Sequence, residues 1–250
     1  MRLKIDFIKV YLEGYYGIGI GREVMSKVID ITGTIYEGMW NLEAPFPDFK
    51  MQPFPPVPWA QGDVYLESFQ MQSQTGTYLE TPGHFLGYEN TFLIHEVDVR
   101  ELTNRDCVVL DVGPINPDNC SKRMPVTLKH ILNAPGASDI REGDAVLICA
   151  HWGTMWEHKD FVKNSPYISL DAMKWLIEKR PYLIGGDFPR WELVDHPQGI
   201  FELFKNEGIL LMGPSVNLEQ ISKPRVKITV LPLKIIGTCC TPCRAVVVEE

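Results

Sequence analysis

The sequence predicts an α/β fold with a mixed central β-sheet. Apolar, β-branched segments recur along the chain between Gly, Pro and Asp residues, and segments with apolar residues at helical spacing lie among them. Strands interleaved with helices are typical of an α/β domain. The 250 residues, of which 45% are hydrophobic and 22% charged, are enough to bury the core of one such domain.

Seven strands and three helices are predicted in chain order. The strands cover residues 63–75, 107–112, 145–150, 182–185, 209–212, 227–231 and 245–248, and the helices cover 128–133, 169–180 and 199–206. The helix over 169–180 has the clearest pattern, because Ser169 is a suitable N-cap, apolar residues follow at helical spacing, and Pro181 ends it.

A long irregular loop is predicted between Pro45 and Pro58. Six prolines in this stretch remove hydrogen-bond donors and fix the backbone in an extended conformation. Its aromatic residues, among them Phe46, Phe54 and Trp59, favour a pocket lid or a dimer arm, because such a long loop in a compact domain usually has a function. A solvent-facing connector is the alternative interpretation.

Charge and hydropathy exclude several classes of function. The net charge of −8 provides no basic surface for nucleic acid. No apolar run approaches the roughly 18 residues that span a bilayer, and Lys4, Asp6 and Lys9 interrupt any signal-peptide core. Six cysteines are too few for a disulfide scaffold of this size. We therefore expect a cytoplasmic protein with reduced thiols, a small-molecule substrate, and no nucleic-acid or membrane partner.

The segment 74–85 concentrates proton-transferring side chains. Gln74, Tyr78, Glu80 and His84 all occupy even positions. Because residues two apart on an extended chain share one face, the first three should line one side, and a turn at Pro82 should bring His84 near them. This pattern predicts the floor of a pocket. A solvated sheet face is the alternative.

This segment resembles a degenerate copy of the His-x-Gly-Thr-His-x-Asp-x-Pro-x-His signature of the cyclase family, which includes bacterial kynurenine formamidase and isatin hydrolase. Four further blocks resemble the same family in the same order: 29–39, 151–156, 185–189 and 231–246. The resemblance implies a swivelling β/α/β fold, a single domain over 29–250 after an N-terminal extension of 1–28, and hydrolysis of amide or lactam bonds with bound Zn²⁺ or Mn²⁺.

The metal ligands that the resemblance implies are mostly absent. Gln74, Tyr78 and Glu80 replace the first two histidines and the aspartate of the signature, and an ungapped count places Phe201 and Gly213 at a second His and Glu pair. Gln is a weak neutral ligand, and Tyr must first lose a proton whose ordinary pKa is about 10. We therefore predict no metal and no cofactor. A metal bound by these residues in an altered geometry is the alternative.

The segment still offers chemistry without a metal. A carboxylate and an imidazole within reach of one substrate can share proton transfers, so Glu80 and His84 are predicted to be catalytic. Tyr78 is predicted to donate a hydrogen bond to a developing oxyanion. The predicted substrate-binding residues are Gln74, His151, Trp152, Phe85 and Trp59.

Two other features have less specific interpretations. Asp187, between Gly186 and Phe188, is predicted to cap a turn, with orientation of His84 as the alternative. Cys239, Cys240 and Cys243 form a thiol cluster, but only the last two have C-x-x-C spacing and no second pair completes a zinc site. The resemblance places this loop where it closes the family's site, which leaves a thiol near the pocket open.

Three hypotheses follow. The first is a cyclase-family enzyme, a homodimer or larger, that acts without a metal on a small cyclic or amide- or lactone-type carbonyl substrate, by hydrolysis, elimination or tautomerisation. The second is a catalytically inactive relative that binds a small molecule or serves as an interaction subunit. The third is a metal-dependent amide hydrolase with unusual ligands. Retention of Glu80 and His84 favours the first.

Overall fold

The structure, a computed structural model, describes residues 26–59, 61–62, 64–115, 122–201 and 207–250. The predicted extension 1–28 and the predicted helix over 199–206 lie mostly outside these residues. The strands are β1 (Lys27–Asp30), β2 (Lys50–Pro53), β3 (Glu67–Gln70), β4 (Tyr78–Glu80), β5 (Arg105–Asp111), β6 (Pro125–Val126), β7 (Ala145–Cys149), β8 (Tyr167–Ile168), β9 (Leu183–Gly186), β10 (Leu210–Gly213), β11 (Arg225–Pro232) and β12 (Cys240–Glu249). The helices are α1 (Gly83–Leu86), α2 (Leu128–Asn133) and α3 (Leu170–Glu178).

A closed barrel forms the centre of the fold. The strand order is β1-β12-β11-β5-β7-β9-β10-β4, and β4 pairs with both β10 and β12, so seven strands close on themselves while β1 extends the sheet beside β12. The ladders joining β5, β7, β9 and β10 are parallel, and the ladders that β4, β11 and β12 make are antiparallel. The predicted swivelling β/α/β fold with a mixed central sheet is confirmed.

The parallel strands β5, β7, β9 and β10 separate two apolar layers. One cluster draws residues such as Leu79, Leu147 and Met212 from different strands of the barrel and packs them in its interior. The second cluster packs α2 and α3 against the outer face, where Val146 and Ile148 of β7 alternate with the inward residues. Each fully buried side chain of this kind contributes roughly 1.5–3 kcal/mol to folding. The same alternation fixes which side chains of a strand face outward.

The predicted strand over 63–75 is wrong in its extent. Only Glu67–Gln70 is a strand; Thr75 N donates to Gln72 O in a turn, and β4 begins separately at Tyr78. Gly76 explains the break, because its φ of +71° lies in the left-handed region and interrupts an extended chain. Residue 63 itself lies outside the described residues.

The Pro-rich stretch is not wholly irregular. Its residues Lys50–Pro53 form β2, which pairs antiparallel with β3 as a separate two-stranded ribbon. Three large side chains of this region, Phe54, Trp59 and Phe69, are exposed. Exposed apolar side chains often mark interaction sites, and the role of this stretch as a pocket lid or a dimer arm stays a prediction.

The helix predictions are close to the structure. The predicted helix over 128–133 is α2 with the same bounds. Ser169 is the N-cap residue of α3, which ends at Glu178 because Arg180 has a positive φ and Pro181 follows. In the described residues, no helix is both long and apolar enough to cross a membrane.

Candidate active site

A cavity of about 360 Å³ lies outside the barrel wall where β4 pairs with β10. Leu79 faces the barrel interior, so its neighbours Tyr78 and Glu80 face outward and line the cavity. Leu211 lines it from β10. The inward and outward faces of β4 therefore belong to the core and to the site respectively.

Five of the predicted site residues come together at this cavity. Its lining includes Gln74, Tyr78, Glu80, His84 and Phe85. The prediction that one extended strand would align the first three is correct for Tyr78 and Glu80. Gln74 precedes β4 in a turn, and its side chain reaches back to the strand.

Glu80 is the centre of the polar contacts in the cavity. Its carboxylate accepts a hydrogen bond of 2.8 Å from Gln74 Nε2, and His84 Nε2 lies 4.0 Å from the same oxygen, Oε2. Glu80 is only 2% exposed. The surroundings of this carboxylate screen its charge less than water would, so that it can interact with the imidazole beside it.

Tyr78 keeps its proton in this setting. Burial, and secondarily the negative charge of Glu80, raise the pKa of Tyr78 well above its ordinary value of 10. A neutral phenol is a hydrogen-bond donor and a poor metal ligand. Tyr78 is therefore suited to donate to an oxygen of a bound molecule.

The short helix α1 places His84 beside Glu80. His84 N donates to Thr81 O at 3.2 Å, in the turn that follows β4. Gly83 allows this close fit, because a Cβ there would lie 3.1 Å from Leu93 Cδ2 and 3.4 Å from Cys239 Cβ. The predicted effect of the Pro82-Gly83 turn on His84 is confirmed.

Aromatic side chains and one arginine form the other walls. Phe85 stacks on Phe201 with ring centroids 5.1 Å apart, and Phe46 reaches the cavity from the Pro-rich stretch. Arg190 also lines the cavity, and its Nη2 donates to Leu42 O and to the Glu43 carboxylate, each at 3.1 Å. The residues just before the Pro-rich stretch are thus fastened to the cavity rim.

Three of the predicted substrate-binding residues lie elsewhere among the described residues. His151 Nε2 pairs with Asp111 Oδ1 at 2.9 Å beyond the ends of the parallel strands, and Trp152 Nε1 donates to Phe161 O in the core. Trp59 is 83% exposed and is not part of the cavity lining. A contact of these residues with substrate stays a prediction.

Asp187 ends β9 as a buried turn residue. Its Oδ1 accepts a hydrogen bond of 3.0 Å from Ala150 N, which ties the ends of β7 and β9 together. Burial raises the pKa of this carboxyl to about 7, and its backbone hydrogen bonds partly oppose that rise. These contacts fit the predicted turn-capping role.

Two residues that line the cavity lacked a clear sequence signal, and for a third, beside it, the family resemblance left a position near the pocket open. Arg190 and Trp191 directly follow the block 185–189, so their position was the only indication that they line the cavity. Cys239 lies next to His84, with Sγ 3.7 Å from Nδ1. The proximity depends on the pairing of β12 with β4, which is not local in the sequence.

Family membership agrees with this geometry. A family model described as a putative cyclase matches residues 29–193. The chain belongs to the cyclase family. No curated protein matches it.

Solved structures share the cyclase fold with this chain. An isatin hydrolase bound to the product analogue thioisatinate is 17% identical, has a TM-score of 0.76, and aligns over 90% of this chain and 93% of its own. Isatin hydrolase A from Ralstonia solanacearum is 20% identical with a TM-score of 0.73, over 90% and 92%. A predicted metal-dependent hydrolase from Bacillus stearothermophilus is 23% identical with a TM-score of 0.69, over 90% and 99%.

The cavity of this cyclase-family chain does not fit the metal that the family resemblance implies. Gln74 is engaged with Glu80, Tyr78 keeps its proton, and Glu80 is the one carboxylate of the three signature positions. Phe201 lines the cavity and Gly213 pairs with Tyr78, so the positions of the second ligand pair offer no side-chain ligand atom. Zn²⁺ and Mn²⁺ sites require several imidazole or carboxylate ligands.

One group of possible metal ligands does occur among the described residues, away from the cavity. Asp111, Cys149 and His151 offer ligand atoms within 4.8 Å of one another at the ends of β5 and β7. Burial and nearby carboxylates, Asp187 first among them, raise the pKa of the Cys149 thiol, and none of the three residues lines the cavity. This group therefore lies apart from the polar residues that line the cavity.

Proposed function

We propose that this chain is a cyclase-family enzyme that acts on a small cyclic or amide- or lactone-type carbonyl compound by acid–base chemistry of Glu80 and His84, without a metal. The observation that carries the proposal is the buried Glu80 carboxylate 4.0 Å from the His84 imidazole in the wall of the cavity. A positioned imidazole and carboxylate can move a proton to and from one bound substrate, which typically accelerates a reaction 10²–10⁴-fold.

The other lining residues have complementary roles in this proposal. The Tyr78 hydroxyl donates to the substrate oxygen as negative charge develops there, and Arg190 supplies a positive charge at the rim. Gln74 holds the Glu80 carboxylate in place through its amide. The stacked rings of Phe85 and Phe201 offer a flat apolar surface for a small cyclic compound.

The test is turnover of a panel of cyclic amides, lactones and aryl formamides, with isatin first because similar structures are isatin hydrolases. His84→Ala and Glu80→Gln should each lower kcat/KM by about 10²–10⁴-fold. His158→Ala and Glu157→Gln change the same residue types at exposed positions outside the cavity and should leave kcat/KM unchanged.

The result also separates the competing functions. Unchanged turnover in both cavity variants would place the chemistry elsewhere. Calorimetric binding of panel compounds without any turnover would instead support an inactive small-molecule-binding subunit. Turnover that disappears on treatment with a chelator and returns with added Zn²⁺ or Mn²⁺ would show a metal-dependent hydrolase.

A further inference from the structure

Three side chains form a continuous thiol–imidazole–carboxylate series, in which Glu80 and His84 line the cavity and Cys239 lies next to His84, outside that lining. Cys239 Sγ lies 3.7 Å from His84 Nδ1, and His84 Nε2 on the opposite side of the ring lies 4.0 Å from Glu80 Oε2. A nucleophile, a base that contacts it, and a third group that orients the base are the parts of a nucleophilic catalytic site. Such contacts are often long in the absence of substrate.

The fold holds Cys239 against His84 through several backbone contacts. Thr81 N and Thr81 Oγ1 both donate to Cys239 O, at 2.8 and 3.1 Å, just before α1 begins. Gly83 lets the two segments approach, since even a Cβ at that position would contact Cys239. The thiol is thus fixed beside the imidazole by the junction of β4, α1 and β12.

We propose that Cys239 is a nucleophile that His84 activates, so that the cavity performs acyl transfer through a thioester. This inference rests on the proposed function and adds to it the group that attacks the substrate. The substrate class is an amide, lactam, lactone or ester with a carbonyl carbon that can reach Sγ beside His84.

The chemistry balances without a metal or a redox partner. His84 Nδ1 accepts the thiol proton, the sulfur attacks the carbonyl carbon, and a C–S bond forms. The C–N or C–O bond of the substrate then breaks, and the leaving nitrogen or oxygen takes the proton from His84. A water molecule next attacks the thioester, and its hydroxyl group stays on the acyl carbon. The remaining proton of the water passes to His84, and His84 then gives it to the sulfur of Cys239 as the C–S bond breaks.

The acidity of the thiols supports the choice of Cys239. The hydrogen bond with the Cys240 thiol, and next the contact with His84, lower the pKa of Cys239 below its ordinary value. Burial raises the pKa of Cys107, Cys149 and Cys243 well above the ordinary range. Cys239 is buried like the other described cysteines, and its contact with the imidazole of His84, which lines the cavity, distinguishes it from them. Reactive cysteines typically have a low pKa.

The first experiment needs no substrate. The full-length protein is treated with iodoacetamide over a range of pH, and the alkylated cysteine is identified by peptide mass mapping. We expect Cys239 to react first, with a pH midpoint well below the value of about 8.5 for a free thiol. In His84→Ala the rate near pH 6 should fall at least about tenfold. Cys243→Ser is the matched control and should not change the rate at Cys239.

The second experiment traps the acyl group. The protein is mixed with p-nitrophenyl acetate, quenched in acid and analysed by mass spectrometry, and one acetyl group should be found on Cys239 and be absent in Cys239→Ser. An ordinary pH midpoint at Cys239, or no acetyl group on it, overturns the proposal. If Cys239→Ser turns over the panel compounds as fast as the parent and His84→Ala does not, the nucleophile proposal is overturned as well. The proposed function then stands. Unchanged turnover in both variants would refute the proposed function.

Discussion

Arg123 connects the cavity rim to the body of the protein, and its removal is the most informative perturbation of stability. Its guanidinium donates to four backbone carbonyls: Ser165 at 2.8 Å, Pro166 at 3.2 Å, Arg190 at 2.9 Å and Glu192 at 2.6 Å. The last two belong to the segment that lines the cavity. One side chain therefore fixes the path of the rim.

The number of these hydrogen bonds gives the loss of stability that is expected when Arg123 is replaced. A hydrogen bond contributes a net of about 1 kcal/mol to stability, so Arg123→Met, which keeps the stem and removes every donor, should destabilise the protein by about 4 kcal/mol. Arg123→Lys keeps the charge, but an ammonium group lacks the planar fork that reaches several carbonyls. Arg123→Lys should therefore recover roughly half of the free energy of unfolding that Arg123→Met loses.

Urea denaturation of the parent and the two variants measures these differences. Arg100→Met is the matched control: Arg100 pairs with Asp98 on the surface, with 86% of its side chain exposed, and its loss should leave the free energy of unfolding close to that of the parent. For whichever panel compound the parent turns over, Arg123→Lys should show a raised KM, because the displaced rim carries Arg190 and Trp191. If Arg123→Met is within about 1 kcal/mol of the parent, the carbonyl contacts do not hold the rim.

Three further predictions concern the metal, the buried acid and assembly. Gln74→His, Tyr78→His and Glu80→Asp together should create modest Zn²⁺ affinity that calorimetry does not find in the parent; equal binding by both proteins would identify a native metal site. Burial raises the Asp187 pKa from 3.8 to about 7, so the native state favours the protonated acid. As the pH rises from about 4 to about 8, the parent should therefore lose roughly 4 kcal/mol of stability through this carboxyl, and Asp187→Asn should not. Urea denaturation that shows the same pH dependence for the parent and for Asp187→Asn would refute this. Light scattering should show a homodimer or larger because the β2–β3 ribbon exposes apolar side chains; a monomer at micromolar concentration would contradict it.

Much of the barrel is predictable because its strands are short apolar runs between turn residues. Among the strands absent from the predicted list, β2 and β4 have other patterns, although the even spacing of Tyr78 and Glu80 does predict an extended chain at β4. β4 has only three residues, and its sequence Tyr-Leu-Glu carries one inward apolar residue, too few for a periodic signal. β2 contains Pro53 and is wholly exposed, so neither hydrophobicity nor propensity marks it. β4 pairs with β10 and β12, which are remote in the sequence, and β2 pairs with β3 in a ribbon outside the barrel.

The candidate site is predictable to the extent that it is local. The site residues from Gln74 to Phe85 belong to one short segment. The regular spacing of its polar side chains and the family resemblance identify them from the sequence. Arg190, Phe201 and Cys239 reach the same place from distant segments. Long-range strand pairing and the rim contacts bring them there. A single sequence, without related sequences to compare it with, does not specify which distant segments meet.

The two faces of β4 explain how a cyclase-family chain can change its ligand set and keep its fold. Leu79 is fully buried in the barrel, whereas Tyr78 and Glu80 face the cavity, so substitutions at 78 and 80 leave the core intact. Gly213 lies directly opposite Tyr78, and a Cβ there would be 3.6 Å from Trp191 Nε1. A longer side chain at 213 would compete with the indole for this space. Restoring the three signature residues alone therefore leaves the second ligand pair missing, which is why the rebuilt site should bind its metal only modestly.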